Sequence, residues 1–234
     1  MSTTFTARIK DAARAALVAT ALTGAALGLA GTAHAELYGN PEEAADFWQH
    51  QDFDNCVLMA TADMIGELQG DMISEFEITA TASITPSVVH PGTIYIPPIG
   101  SLDDPNQGMG TDPIDSLVLL EKYGFSGKVG GDLAEEVDEE FTTETGMDAL
   151  AQYLADGQKV MAIVNAQLIW GDTEGPFDEP NHALVVTGID TDEGVVHLND
   201  SGNPDGRDFQ IDIETFEQAW ATSGQSIVVS DQTS

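Results

Sequence analysis

The sequence predicts an α+β domain with a mainly antiparallel sheet. Helical patterns come first, a run of β-patterned segments follows, and the stretch Gln51 to Gly70 contains a helix with the only cysteine of the chain at its first position. Helices followed by strands, rather than strict alternation, is the pattern that separates α+β from α/β folds.

The first 35 residues stand apart from the fold. Arg8, Lys10 and Arg14 make a positive start, Ala15 to Ala30 an apolar and small-residue stretch, and Ala33-His34-Ala35 an A-x-A site before Glu36. Thr20, Thr23, Gly24 and Gly28 interrupt the apolar stretch too often for a membrane anchor. The expectation is a signal peptide over residues 1–35 and one exported domain over 36–234, secreted or held in the cell envelope, with no span left in the bilayer. Of 7 Lys plus Arg and 40 Asp plus Glu, the expected mature part keeps 4 and 39, a formal charge of −35. Such a surface repels nucleic acid phosphates and anionic membrane faces and favours cationic partners.

From Leu37 to His50 a turn leads into a short amphipathic piece that carries Phe47 and Trp48. The helix that follows has Asn55 as N-cap, no proline from Cys56 to Gln69, and Gly70 as its stop. At about 100° per residue, Val57, Leu58, Thr61, Met64, Ile65 and Leu68 form the core-facing stripe, with Cys56, Ala60, Asp63 and Glu67 on the other side. The thiol is therefore expected away from the core, at the positive end of a helix, where thiolates are favoured. In an exported chain a lone cysteine is intermolecular or chemically active.

Residues 78–110 mix Pro86, Pro91, Pro97, Pro98 and Pro105 with short β-branched runs and are expected as loop with one edge strand at most. Asp112 caps a helix over Pro113 to Tyr123, Asp132 to Glu140 reads as a solvated acidic face, and a second helix runs from Thr145 or Gly146 to Asp156. The period then changes. Val160 to Val164, Ala183 to Ile189, Val195 to Leu198, Phe209 to Ile213 and Ile227 to Val229 read as strands, with a short helix from Glu214 to Ala221 before the last.

A thiolate needs a basic partner, and the partner needs an orienting acceptor. His182 opens the strand HALVVTGI, and the chain returns as VVHLND. A hairpin symmetric about Thr191 would pair Val186 with Val196, Leu184 with Leu198, and His182 with Asp200, while sending His197 to the opposite face. A register slipped by one presents Asn199 instead; Asp200 is favoured. Cys56, His182 and Asp200 then hold the three roles of a Cys-His-Asp triad.

Gln51, Cys56 at a helix start, NHALVVTGID and VVHLND together resemble the papain-like cysteine peptidases, and within them the bacteriocin-processing, double-glycine-leader peptidases and their secreted bacterial relatives. The resemblance implies acyl transfer on a peptide or protein substrate without a cofactor. It implies that Gln51, or else Gln49, donates to an oxyanion together with the Cys56 N–H. Val57 stands where many relatives have glycine. A relative that has lost activity and serves in binding or envelope interaction is the alternative this family admits. The loop SGNPDGRDFQID matches a calcium loop poorly, lacking the aspartate at its first position, and reads as an acidic turn. One cysteine and scattered histidines offer no zinc pattern.

Overall fold

The computed structural model describes residues 36–98 and 110–233. The expected signal peptide and part of the proline-rich segment lie outside them. The described chain forms an α+β fold around one sheet, with strands β1 (Leu37–Gly39), β2 (Gly127–Gly130), β3 (Gln158–Val164), β4 (His182–Asp190), β5 (Val195–Asn199), β6 (Phe209–Asp212) and β7 (Ile227–Thr233). Their order is β2-β7-β3-β4-β5-β6, with β1 pairing the far end of β4, and every ladder is antiparallel.

The helices are α1 (Pro41–Ala44), α2 (Cys56–Gln69), α3 (Glu75–Ile84), α4 (Asp115–Lys122), α5 (Met147–Ala155), α6 (Ala166–Trp170) and α7 (Ile213–Ala221). Alternation along the central strands divides the core. Met161, Ala183 and Val185 face α2, α3 and α4, whereas Val160, Ala162, Leu184 and Val186 face α5 and α7. Among the described residues no helix is long and apolar enough to cross a membrane.

Helix α2 lies between the sheet and α3 and α4. Leu58, Met64 and Ile65 are wholly buried, each worth about 1.5–3 kcal/mol of apolar burial. Its stop is as expected: Gly70 takes a left-handed φ of 77° and its N–H bonds to Gly66 O at 2.8 Å. The expected outer face is not outside, however, because Ala60, Asp63 and Glu67 are also buried. The helix is packed on nearly all sides, so Cys56, half-buried, reaches the cleft by its position at the helix start and not by its face.

Helix α3 replaces part of the expected loop. Ser74 Oγ accepts from Glu77 N at 3.2 Å, capping a helix that ends before Pro86. The expected helix after Asp112 starts later, at Asp115, after a turn in which Asp112 Oδ1 accepts from Ile114 N at 3.0 Å.

Candidate active site

The loop ahead of α2 is tied to α3. Glu75 Oε1 accepts from Asn55 Nδ2 at 2.8 Å and from Asp52 N at 2.9 Å. Asn55 is the N-cap by position, yet its side chain makes no capping bond, because it reaches across to Glu75 instead. The first-turn N–H groups at Cys56 are thus left without a side-chain cap, which is the condition for receiving an anion from outside.

Cys56 and His182 line one cleft of about 320 Å³, together with His50, Gln51, Asp52, Asp54, Trp170 and Gly202. His182 opens β4 and is buried. Its Nε2 meets Asp200 Oδ1 at 2.6 Å. That bond leaves Nδ1 free on the side of the cleft that Cys56 lines, where the thiol neighbours the ring.

Asp200 is wholly buried and all its acceptors are used. Oδ1 also accepts from Gly202 N at 2.9 Å, Oδ2 accepts from Trp170 Nε1 at 2.8 Å, and the main-chain oxygen accepts from Trp48 Nε1 at 2.8 Å. The Trp170 ring leans on the imidazole, centroids 5.4 Å apart. Burial works against charge on both partners. For His182 the bond to Asp200 and the neighbouring thiol outweigh it and push the imidazole up to about 10; for Asp200 the bonds from His182, Trp170 and Gly202 outweigh it and hold the carboxyl below its usual range. Imidazolium and carboxylate are mutually stabilised in a site largely closed to water.

The meeting of His182 and Asp200 does not come from the expected hairpin register. Ile189 pairs with Val196, Val186 with Leu198 and Val185 with Asn199, and the ladder shifts between Val186 and Gly188. The four-residue turn between Asp190 and Val195 is the cause, since it centres the hairpin beyond Thr191, and the bulge at Thr187 shifts the pairing one step back. Continued past Asn199, this register sets Gly202 opposite His182, inside a turn in which Asn203 N bonds to Asp200 O at 3.4 Å. A Cβ on Gly202 would stand 2.8 Å from His182 Cε1 and 3.1 Å from Trp170 Cζ2. Asp200 approaches the ring from the strand end, not as a cross-strand neighbour.

Gln51 lines the cleft and is fixed to the residue after Asp200: its N–H donates to Ser201 O at 2.9 Å and its Oε1 accepts from Ser201 Oγ at 2.8 Å. One hydrogen of its amide donates to Phe53 O at 2.8 Å. Gln49 is turned to Ile73 O at 2.7 Å and is not part of the cleft wall. Asn199 points away from His182, its Nδ2 donating to Ala44 O at 2.8 Å and to Asp63 Oδ2 at 3.0 Å. His197 bonds through Nδ1 to Asp208 Oδ1 at 2.7 Å. Val57 is buried in the core and leaves the cleft mouth clear. The residues that sequence reasoning did not bring to the site are Gly202 and Ser201, whose roles arise from the turn after β5.

The loop weighed as a calcium site is closed by its own bonds, among them Asp205 N to Asn203 Oδ1 at 3.0 Å. Among the described residues no group of three or more His, Cys, Asp or Glu is arranged to hold a metal ion.

Comparison with known proteins agrees with this architecture. Uncharacterized proteins of Mycobacterium bovis and of two strains of Mycobacterium tuberculosis are 45% identical over 236 residues, covering 96% of this chain and 98% of theirs. The fold is shared with a Bacillus anthracis crystal structure described as a C39-like peptidase, at TM-score 0.52 and 18% identity, over 85% of this chain and 99% of that one. The sequence model of the Peptidase_C39-like family matches residues 45–228, a span that holds Cys56, His182 and Asp200 together. By that match the chain belongs to the Peptidase_C39-like family, within the papain-like cysteine peptidase superfamily.

Proposed function

We propose that the protein is an exported thiol hydrolase that cleaves a peptide or amide bond through Cys56, His182 and Asp200. The observation that carries this reading is the imidazole held by Asp200 at 2.6 Å in the cleft that Cys56 also lines. In this reading the Cys56 thiolate attacks the carbonyl carbon, and the free hydrogen of the Gln51 amide and the Cys56 N–H stabilise the oxyanion. Protonated His182 gives its proton to the leaving amine, and water then hydrolyses the thioester. Asp52 and Asp54 stand in the cleft wall, so a substrate with a cationic group beside the scissile bond fits best. The A-x-A site before Glu36 supports export.

The test is the rate of iodoacetamide alkylation of Cys56 against pH, in the chain from Glu36 and in the same chain with His182→Ala. Rapid alkylation that persists below about pH 7 and is lost in the variant supports the ion pair and the hydrolase. A rate with ordinary thiol behaviour and no dependence on His182 would sink the catalytic reading and leave a papain-like binding module.

A further inference from the structure

Two turns along the cysteine helix, Asp63 and Glu67 stand at i, i+4 spacing, 6% and 9% exposed. Two of their four carboxyl oxygens have donors. Asn199 Nδ2 donates to Asp63 Oδ2 at 3.0 Å, and Lys159 Nζ donates to Glu67 Oε2 at 2.9 Å. Asp63 Oδ1 and Glu67 Oε1 are buried without a donor. Ionised carboxylates only accept, so two of them here would leave both oxygens unsatisfied and set two negative charges against one lysine. One proton between the two oxygens satisfies both.

We infer that Asp63 is a positioning residue, held as a neutral carboxylic acid that donates to Glu67 and accepts from Asn199, so that one shared proton fastens the Cys56 helix to the strand that leads into Asp200. Asn199 and Asp200 are adjacent at the end of β5 and point to opposite faces, so the carboxylate that orients His182 and the amide that grips α2 share one stretch of backbone. The same amide donates to Ala44 O at 2.8 Å, which draws α1 into the clamp. The groups that face the pair are Lys159 from β3, Asn199 from β5 and Glu43 from α1. Burial, with Glu67 beside it, pushes the Asp63 carboxyl well up, and Asn199 and Lys159 pull the other way without cancelling it.

The consequence at the thiol rests on the hydrolase reading; the protonation does not. A carboxyl held above its unfolded value contributes stability that is complete below about pH 4 and is lost as pH rises toward the folded value. Asp63→Asn keeps both bonds, with N–H in place of O–H toward Glu67 and an amide oxygen toward Asn199, and it cannot titrate.

The experiment is urea unfolding of the protein and of Asp63→Asn from pH 5 to pH 8. The unfolding constant of the wild type relative to the variant should grow about tenfold per pH unit while the folded pair keeps its proton. A ratio that stays flat across the range overturns the shared proton. Should the variant fail to fold, carbon-13 NMR of the wild type decides: an Asp63 carboxyl carbon at the protonated position at neutral pH supports the proposal, and one already ionised at pH 5 overturns it. For the positioning role, the His182-dependent alkylation of Cys56 should fall in the wild type at the pH where the proton leaves and hold in Asp63→Asn. Coincident profiles overturn that role. Profiles indifferent to His182, with the unfolding ratio still rising, overturn the hydrolase reading alone.

Discussion

Trp170 completes the carboxylate that His182 only half occupies. Its indole N–H donates to Asp200 Oδ2 at 2.8 Å while His182 Nε2 meets Oδ1 at 2.6 Å, and its ring rests against the imidazole. One side chain therefore fixes the rotation of the carboxylate and the tilt of the ring.

Trp170→Phe keeps the ring and removes the donor. The expected result is a folded protein less stable by about 1–3 kcal/mol, because a buried carboxylate oxygen loses its donor, with slower alkylation of Cys56. Urea unfolding and iodoacetamide rates check it, and a variant indistinguishable from wild type in both would show that the indole N–H does not orient Asp200.

Gly202 is required by space. A methyl group there would meet His182 Cε1 at 2.8 Å and Trp170 at 3.1 Å, and the turn is too tightly bonded through Asp200 and Gly206 to retreat. Gly202→Ala should cost about 1–3 kcal/mol of stability through overpacking and displace the imidazole. The sharper readout is the thiol: alkylation of Cys56 in Gly202→Ala should resemble that of His182→Ala. Retention of the wild-type profile would mean that the ring has room the geometry does not show.

How far the sequence reveals this arrangement depends on where the information is local. The cysteine helix is legible because Asn55, an unbroken run to Gln69 and Gly70 act within one segment. The long strands are legible from their β-branched runs. Strands β1 and β2, only LYG and GKVG, have little propensity of their own and exist through pairing with β4 and β7. Helix α3 is obscured by Thr79, Thr81 and Ser83, although the spacing from Ser74 to Glu77 is that of a capping box. Neither the true centre of the turn between Asp190 and Val195 nor the bulge at Thr187 has a local mark, so Asp200 stands beside His182 by a route other than the expected register. The burial of Asp63 and Glu67 is equally hidden, because polar residues on a helix read as a solvent face until their partners are known.

The imidazole predicts a pH dependence of stability. His182 is pushed up to about 10 from an ordinary 6.5, after burial has been outweighed by Asp200 and Cys56. A group raised in this way binds its proton more tightly in the folded chain, so its contribution is complete below about 6.5 and disappears as pH rises through about 10. The stability advantage of wild type over His182→Ala should shrink across that window by at most about 1.4 kcal/mol per pH unit. Chemical denaturation at intervals from pH 6 to pH 10.5 measures it. An advantage constant over the window would mean that the ring is neutral in the folded protein.

The two glutamines ahead of Cys56 separate by what each amide holds. Gln49 spends its amide on Ile73 O at 2.7 Å, outside the cleft wall, and its loss should act on packing alone. Gln51 stands in the cleft with one amide hydrogen on Phe53 O, and both its backbone and its side-chain oxygen are anchored to Ser201. In the proposed mechanism the remaining hydrogen meets charge that develops only during attack on a carbonyl. Once a cleaved peptide is in hand, Gln51→Ala should lower its hydrolysis by about 10²–10³. The same variant should leave iodoacetamide alkylation of Cys56 near the wild-type rate, since displacement of iodide builds no oxyanion. Gln49→Ala should leave both hydrolysis and alkylation near the wild-type rate. If Gln51→Ala slows alkylation as much as hydrolysis, Gln51 supports the loop before Cys56 rather than the transition state, and the oxyanion is left to the unbonded N–H groups at the start of α2.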